Sequence, residues 1–268
     1  MDLLAGAYNY QAVRPCQAHG VTKWPAAEGG PGIDESSMRR IDTHTHLWRY
    51  QPTAYSWIDD RRHAIARDFL PADLEPLLRS AGIDAAILVQ AQHSLAETEW
   101  LLDIAEAVPF VAGVIGWVDL AAEGVAEQLD AFRGRPQLVG IRHIVHDEPD
   151  DRFMLREDFR RGLQHLATRG LTYDLLLFPR HLPVALELVT AFPEQTFVLD
   201  HLAKPDIRRG SRQPWQSDLQ RLARFPRIYA KISGLVTEAD WHSWTADDLR
   251  PYIQAAYDCF GPERLMVG

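Results

Sequence analysis

From Ile41 to Gly268 the chain repeats one unit, a short β-type run followed by a longer stretch, in most cases of helical period. Eight runs can be counted: Ile41–His46, Ala85–Gln90, Val111–Val118, Leu138–His143, Leu171–Leu177, Thr196–His201, Arg227–Ser233 and Arg264–Gly268. Several are continuously apolar, as strands covered on both faces of a parallel sheet are. Amphipathic spacing predicts helices over Pro71–Ala81, Leu95–Ala107, Arg156–Arg169, Pro183–Ala191 and Ala246–Cys259. Such an α/β alternation closes into a (β/α)8 TIM barrel or opens into a doubly wound sheet. No glycine-rich phosphate loop follows the first run, and ionisable residues gather at the C-terminal ends of several runs, so the barrel is expected. A length of 268 residues suits one such barrel better than two compact domains.

Residues 1–37 have no period and carry Trp24-Pro25, Gly29-Gly30-Pro31-Gly32 and Ser36-Ser37, so they read as an irregular extension before a barrel over 38–268. Met38 is a candidate natural start. The eighth run meets the end of the sequence, so the barrel is expected to lack its last loop and helix, incomplete at the C-terminus. A formal charge of −9 opposes the basic footprint that nucleic acid or an anionic membrane requires. Two cysteines, Cys16 and Cys259, imply no disulfide framework, and no run approaches the roughly 18 apolar residues of a membrane span. With no secretion signal, a cytoplasmic chain is expected.

Period-two geometry puts Asp42, His44 and His46 on one face of the first strand. Two histidines so placed can share one divalent ion or one substrate oxygen, or simply hydrogen-bond within the strand. In the sixth run, apolar Phe197-Val198-Leu199 ends in Asp200-His201. His201 at that mouth is expected to meet His44 and His46, while Asp200, read as the opposite parity, is expected to face the helices in a structural role. The fourth run ends in Arg142-His143, of which one need be functional. Arg142 reads as a clamp for oxygens or as an ion-pair partner.

Lys231 shares a face with Tyr229 and Ser233 and is either inward at the mouth or paired near the surface. Tyr173 is either core or substrate-facing, and His93 borders the pocket. Trp48, Tyr50, Tyr55 and Trp57 crowd the loop after the first strand, as a wall over a sugar ring or as plain packing.

Four segments carry a resemblance: Ile41-Asp42-Thr43-His44-Thr45-His46-Leu47-Trp48, Gly140-Ile141-Arg142-His143, Leu199-Asp200-His201-Leu202-Ala203-Lys204-Pro205 and Lys231-Ile232-Ser233-Gly234-Leu235. In order and spacing the chain resembles the amidohydrolase-type (amidohydrolase 2) lactonases, the group that includes L-fuconolactonase, L-rhamnonolactonase and 2-pyrone-4,6-dicarboxylate lactonase. The resemblance covers essentially Ile41 to Gly268. It implies a hydrolase of carbohydrate catabolism that opens a small sugar-acid lactone by water attack on the ester carbonyl. His44, His46 and His201 are then catalytic, and Arg142, His143, Lys231 and Trp48 bind substrate. A divalent metal, zinc before others, is held by the same three histidines or is not required. The family's water-activating aspartate follows the eighth strand, beyond Gly268, which leaves a truncated chain or another acid such as Asp42 or Asp119 in that role. The alternatives are a metal-dependent decarboxylase on the same scaffold, or an inactive binding remnant.

Overall fold

A computed structural model describes residues 39–268, so the reading of residues 1–37 as an extension, and Met38, lie outside the described residues. Eight parallel strands form one sheet in strict chain order: β1 (Ile41–Thr45), β2 (Ala85–Val89), β3 (Val111–Gly116), β4 (Leu138–His143), β5 (Thr172–Leu175), β6 (Phe197–Leu199), β7 (Ile228–Ile232) and β8 (Leu265–Val267). This order is that of a (β/α)8 barrel rather than a doubly wound sheet, whose strand order reverses. β8 returns to β1, where the Thr43 hydroxyl donates to the Val267 carbonyl at 2.9 Å. No ladder joins the two strands among the described residues, so the barrel is nearly closed. Seven strands are shorter than the runs read from the sequence, and β4 alone matches its run.

The predicted helices are present: α1 (Pro71–Ala81), α2 (Leu95–Ala107), α4 (Glu157–Thr168), α5 (Leu182–Ala191) and α7 (Ala246–Phe260). Pro71 begins α1 where its missing N–H costs nothing, Asp73 accepts from the Leu70 N–H at 2.9 Å, and left-handed Gly82 ends the helix. Ser94 caps α2 by accepting from Glu97 N–H at 3.2 Å. Two short helices join them, α3 (Val125–Asp130) and α6 (Trp215–Leu222). In α6, buried Trp215, Leu219 and Leu222 recur at helical spacing, but eight residues hold barely two turns of signal. None of these helices is long and apolar enough to cross a membrane.

Alternate residues separate two environments. Outward side chains such as Leu88, Val114, Ile141, Tyr173 and Phe197 form the apolar layer under the helices, which places Tyr173 in the core. Inward at the level of the mouth lie Arg142, Asp174, Asp200 and Lys231, each at most 3% exposed. A second cluster of Trp48, Tyr55, Ile58, Ile65, Phe69 and Ala91 packs the loop after β1, pinned by an antiparallel bridge between Trp48 and Phe69.

α4 lies so close to the loop after β3 that a Cβ on Gly162 would stand 1.9 Å from the Leu120 carbonyl oxygen. Gly162→Ala is therefore expected to cost about 2–3 kcal/mol in urea unfolding, because backbone must move to admit the methyl. An unchanged midpoint would show that α4 is not held by this contact.

Candidate active site

The C-terminal ends of the strands surround a cavity of about 510 Å³ whose floor includes His46, Arg142 and His201. Trp48, Trp57, Phe178 and Trp241 line its walls, so the loop after β1 supplies both a packed core and a wall. Arg62, His146, Lys204 and Glu238 add polar groups higher up.

The three imidazoles meet as expected. The rings of His44 and His46 lie 4.9 Å apart, and those of His44 and His201 4.3 Å. In each ring, Nδ1 faces a fixed oxygen. His46 Nδ1 donates to the Val89 carbonyl at 2.7 Å, His201 Nδ1 meets the Ser233 hydroxyl at 2.8 Å, and His44 Nδ1 faces Asp200 Oδ1 at 3.5 Å. In His46 and His201 anchoring Nδ1 leaves Nε2 to act, the arrangement common to histidines that bind metals, while His44 Nε2 stands 3.2 Å from Arg142 Nη1. His44 Nε2 and His46 Nε2 are 3.2 Å apart. Two nitrogens on one tetrahedral zinc ion would be separated by about 3.3 Å, so the pair fits such an ion. His44, Asp200 and His201 also form a compact donor set, all within 4.8 Å of one another. Burial pushes the His46 and His201 pKa down to about 3 and lowers His44 well below its ordinary value, so all three are neutral at physiological pH.

Asp200 does not face the helices. Strand register aligns it with inward Lys231, and its buried carboxylate accepts from Arg142 Nη1 at 2.9 Å and stands 3.0 Å from Lys231 Nζ. Burial alone would raise its pKa, but Lys231, His44 and Arg142 hold it well below the usual carboxylate range. The same register would turn His201 outward. The backbone prevents this by entering the left-handed region at His201 and staying there through Leu202, Ala203 and Lys204. Such conformations cost L-residues roughly 1–2 kcal/mol each, strain typical of functional sites. Gly234, at φ 60°, makes room for the turned ring, since a Cβ there would stand 2.7 Å from His201 Nδ1.

Arg142 lines the floor, but its donors are already directed at protein acceptors. Nε and Nη2 bind Gln90 Oε1 at 3.0 and 2.8 Å, Nη2 also binds the Gln90 carbonyl, and Nη1 serves Asp200 and His44 Nε2. Of the other expected binding residues, Trp48 lines the cavity and two do not. Lys231 is buried with Asp174 at 2.6 Å and Asp200, because its strand position points it into the barrel below the floor. His143 has the outward parity, stacks on His93 and Phe153, and meets Glu148 Oε1 at 2.7 Å. His93 stands in the same stack rather than on the cavity surface, accepting from Ile144 N–H at 2.9 Å.

Neither Asp42 nor Asp119 lines the cavity: each turns a carboxylate oxygen to nearby backbone, at His44 and Ala121. Gly268 packs beside His44, and the position expected for the family's aspartate lies outside the described residues. Sequence reading gave no role to Lys204, named only within a family segment, nor to Glu238, His146 and Trp241, which stand in or beside single turns too short for a periodic signal.

Because His46 and His201 stay neutral down to about pH 3 when folded but take up a proton near 6.5 when unfolded, acid should destabilise the fold. Their contribution is fully present above about pH 6.5 and falls as pH drops toward 3, by about 2 kcal/mol for each group at pH 5. Urea unfolding near pH 7 and pH 5 measures this, and a His46→Asn/His201→Asn variant should lose that part of the pH dependence. Gly234→Ala should cost about 1–2 kcal/mol for its left-handed backbone alone and should also displace the His201 ring, visible in the imidazole NMR signals. Wild-type imidazole shifts in that variant would refute the role given to Gly234.

The amidohydrolase family model matches residues 41–268. An L-fucono-1,5-lactonase of Burkholderia multivorans is 41% identical over 239 residues, covering 85% of this chain and 80% of the relative. A second L-fucono-1,5-lactonase, of Burkholderia ambifaria, is 37% identical over 231 residues, covering 85% and 79%. A crystal structure of an amidohydrolase from Burkholderia multivorans with bound zinc superposes with a TM-score of 0.81 at 39% identity, covering 86% of this chain and 84% of that one. With its histidine cluster at the mouth of an eight-stranded barrel, the chain belongs to the amidohydrolase family.

Proposed function

We propose that this chain is a carboxylic-ester hydrolase that opens a small aldonolactone, of the L-fucono-1,5-lactone kind, by water attack on the ring ester. The observation that carries the reading is that His46 and His201 lie on the floor of a cavity with indole walls, with His44 packed against both rings. A sugar lactone has an apolar C–H face to lay on indole and a ring ester to present to the floor. The kinship to L-fucono-1,5-lactonases supports the same substrate class.

The residues divide the work. His46 carries its proton on Nδ1, bound to Val89, so its Nε2 offers a lone pair to a water hydrogen. His201, set by Ser233 and Gly234, lines the same cavity floor as His46. Arg142 keeps a fixed positive charge beside the position where the carbonyl oxygen becomes negative, and it also holds His44 and Asp200 in place. His44, His46 and His201 are the residues to hold a divalent ion such as zinc, which when bound would supply Lewis-acid polarisation of the ester carbonyl. The reaction needs no oxidised cysteine, and a reducing cytoplasm suits the free Cys259.

A pH-indicator assay against a panel of neutral aldonolactones tests the reading directly. Opening of at least one is expected, and Arg142→Lys, which cannot reproduce the planar fork to Gln90 and Asp200, should lower kcat/KM by about 100-fold. If no lactone opens, the reading fails. For the metal, equilibrium dialysis against zinc should return about one ion per chain, lost in His44→Asn/His46→Asn. Absence of binding would leave the histidines to water and substrate alone.

A further inference from the structure

The polar groups above the floor have a charge pattern of their own. Three cations line the cavity, and each has an acidic partner: Arg62 with Asp59 at 3.1 Å, Arg142 with Asp200 at 2.9 Å, and Lys204 with Glu238 at 3.5 Å. The third pair differs from the others because both members face the cavity. Their side chains are 20% and 22% exposed, so the pair is partly withdrawn from water and its field is weakly screened. Asp147, a second carboxylate on the lining, adds further negative charge. A ring bearing a carboxylate would therefore find each lining cation already paired and would face Glu238 and Asp147.

Both members of the pair are held by the backbone devices that build the floor. The left-handed turn that swings His201 inward ends at Lys204, whose N–H donates to the His201 carbonyl at 2.8 Å. Glu238 ends a single helical turn, Leu235–Glu238, that starts at left-handed Gly234, the residue against which the His201 ring packs. The Thr237 hydroxyl stands 3.2 Å from Glu238 Oε1, and Arg208 N–H donates to the Glu238 carbonyl at 2.9 Å. Trp241, beside this turn, lines the cavity and donates from Nε1 to the Thr237 carbonyl at 2.9 Å. An ammonium and a carboxylate at this spacing suit adjacent hydroxyls, one accepting from Lys204 and its neighbour donating to Glu238.

We propose that the Lys204–Glu238 pair is the specificity determinant of this cavity, binding adjacent hydroxyls of a neutral polyhydroxylated ring and rejecting rings that carry a carboxylate. The reaction assigned to such a ring rests on the lactonase reading; the preference for neutral over anionic ligands does not.

The test combines binding with turnover. Trp48, Trp57 and Trp241 line the cavity, so tryptophan fluorescence can follow titration with L-fucose as the neutral ring and citrate as the anion. Wild type should prefer L-fucose, Glu238→Gln should shift the affinity ratio toward citrate by about 10-fold, and Lys204→Met should shift it the other way. The same variants are assayed for kcat/KM on L-fucono-1,5-lactone and on D-glucaro-1,4-lactone, which carries a carboxylate, with the same direction expected. A ratio that stays within about twofold in both variants overturns the proposal. If the binding ratio shifts while wild type opens no neutral lactone, the lactonase reading falls and the charge preference stands. If lactone opens but neither variant moves the ratio, only the assignment of the pair falls.

Discussion

The buried carboxylate of Asp200 is the point on which the mouth of the barrel depends. It sits between Arg142 and Lys231 and faces His44, with essentially no exposure. A lone charge there would be prohibitively unfavourable, and the two cations offset it. Asp174 completes the set by taking the other side of Lys231. Removing one member of a buried pair typically costs about 3–5 kcal/mol, so each charge in this network depends on its partners. What it supplies is position: Arg142 is held on both edges, by Gln90 and by Asp200, and His44 is held between Arg142 and Asp200.

The second constraint is the path of the backbone after β6. Strand parity delivers Asp200 to the interior but sends the next side chain out, and the site needs both. The left-handed turn from His201 to Lys204 resolves this conflict at the cost of local strain. The Trp215 indole, donating to the Leu202 carbonyl at 2.6 Å, holds the turn from the helical side, and Gly234 admits the ring from the side of β7. Overdetermined packing of this kind lets an unfavourable conformation persist. One backbone feature thus serves the floor, through His201, and the upper wall, through Lys204.

Much of the chain's architecture was legible because its signals are local and repeated. Apolar runs recurring between amphipathic stretches required parallel strands covered by helices, and period-two spacing placed His44 and His46 on one face. Arg142 stood out as an ionisable residue ending an apolar strand. The inward side of β6 and the fate of Lys231 were not legible in this way. Parity within a strand does not tell which parity is inward, and for β6 that depended on register with β7, a relation between residues about 30 apart in sequence. Nor does parity survive the break after Leu199, so His201 reached the site by a route no periodicity encodes.

By itself, then, the sequence determined the (β/α)8 barrel, the strand ends that carry chemistry and the facing pair His44 and His46, because hydrophobic period and residue type act over a few neighbours. Tertiary structure alone decided that Asp200 and Lys231 are buried partners, that His143 stacks away from the cavity, and that Lys204 and Glu238 meet across its mouth. These outcomes depend on which distant segments the closed sheet brings within a few ångströms. Charge pairing and burial are properties of that proximity, and no local run of residues contains them.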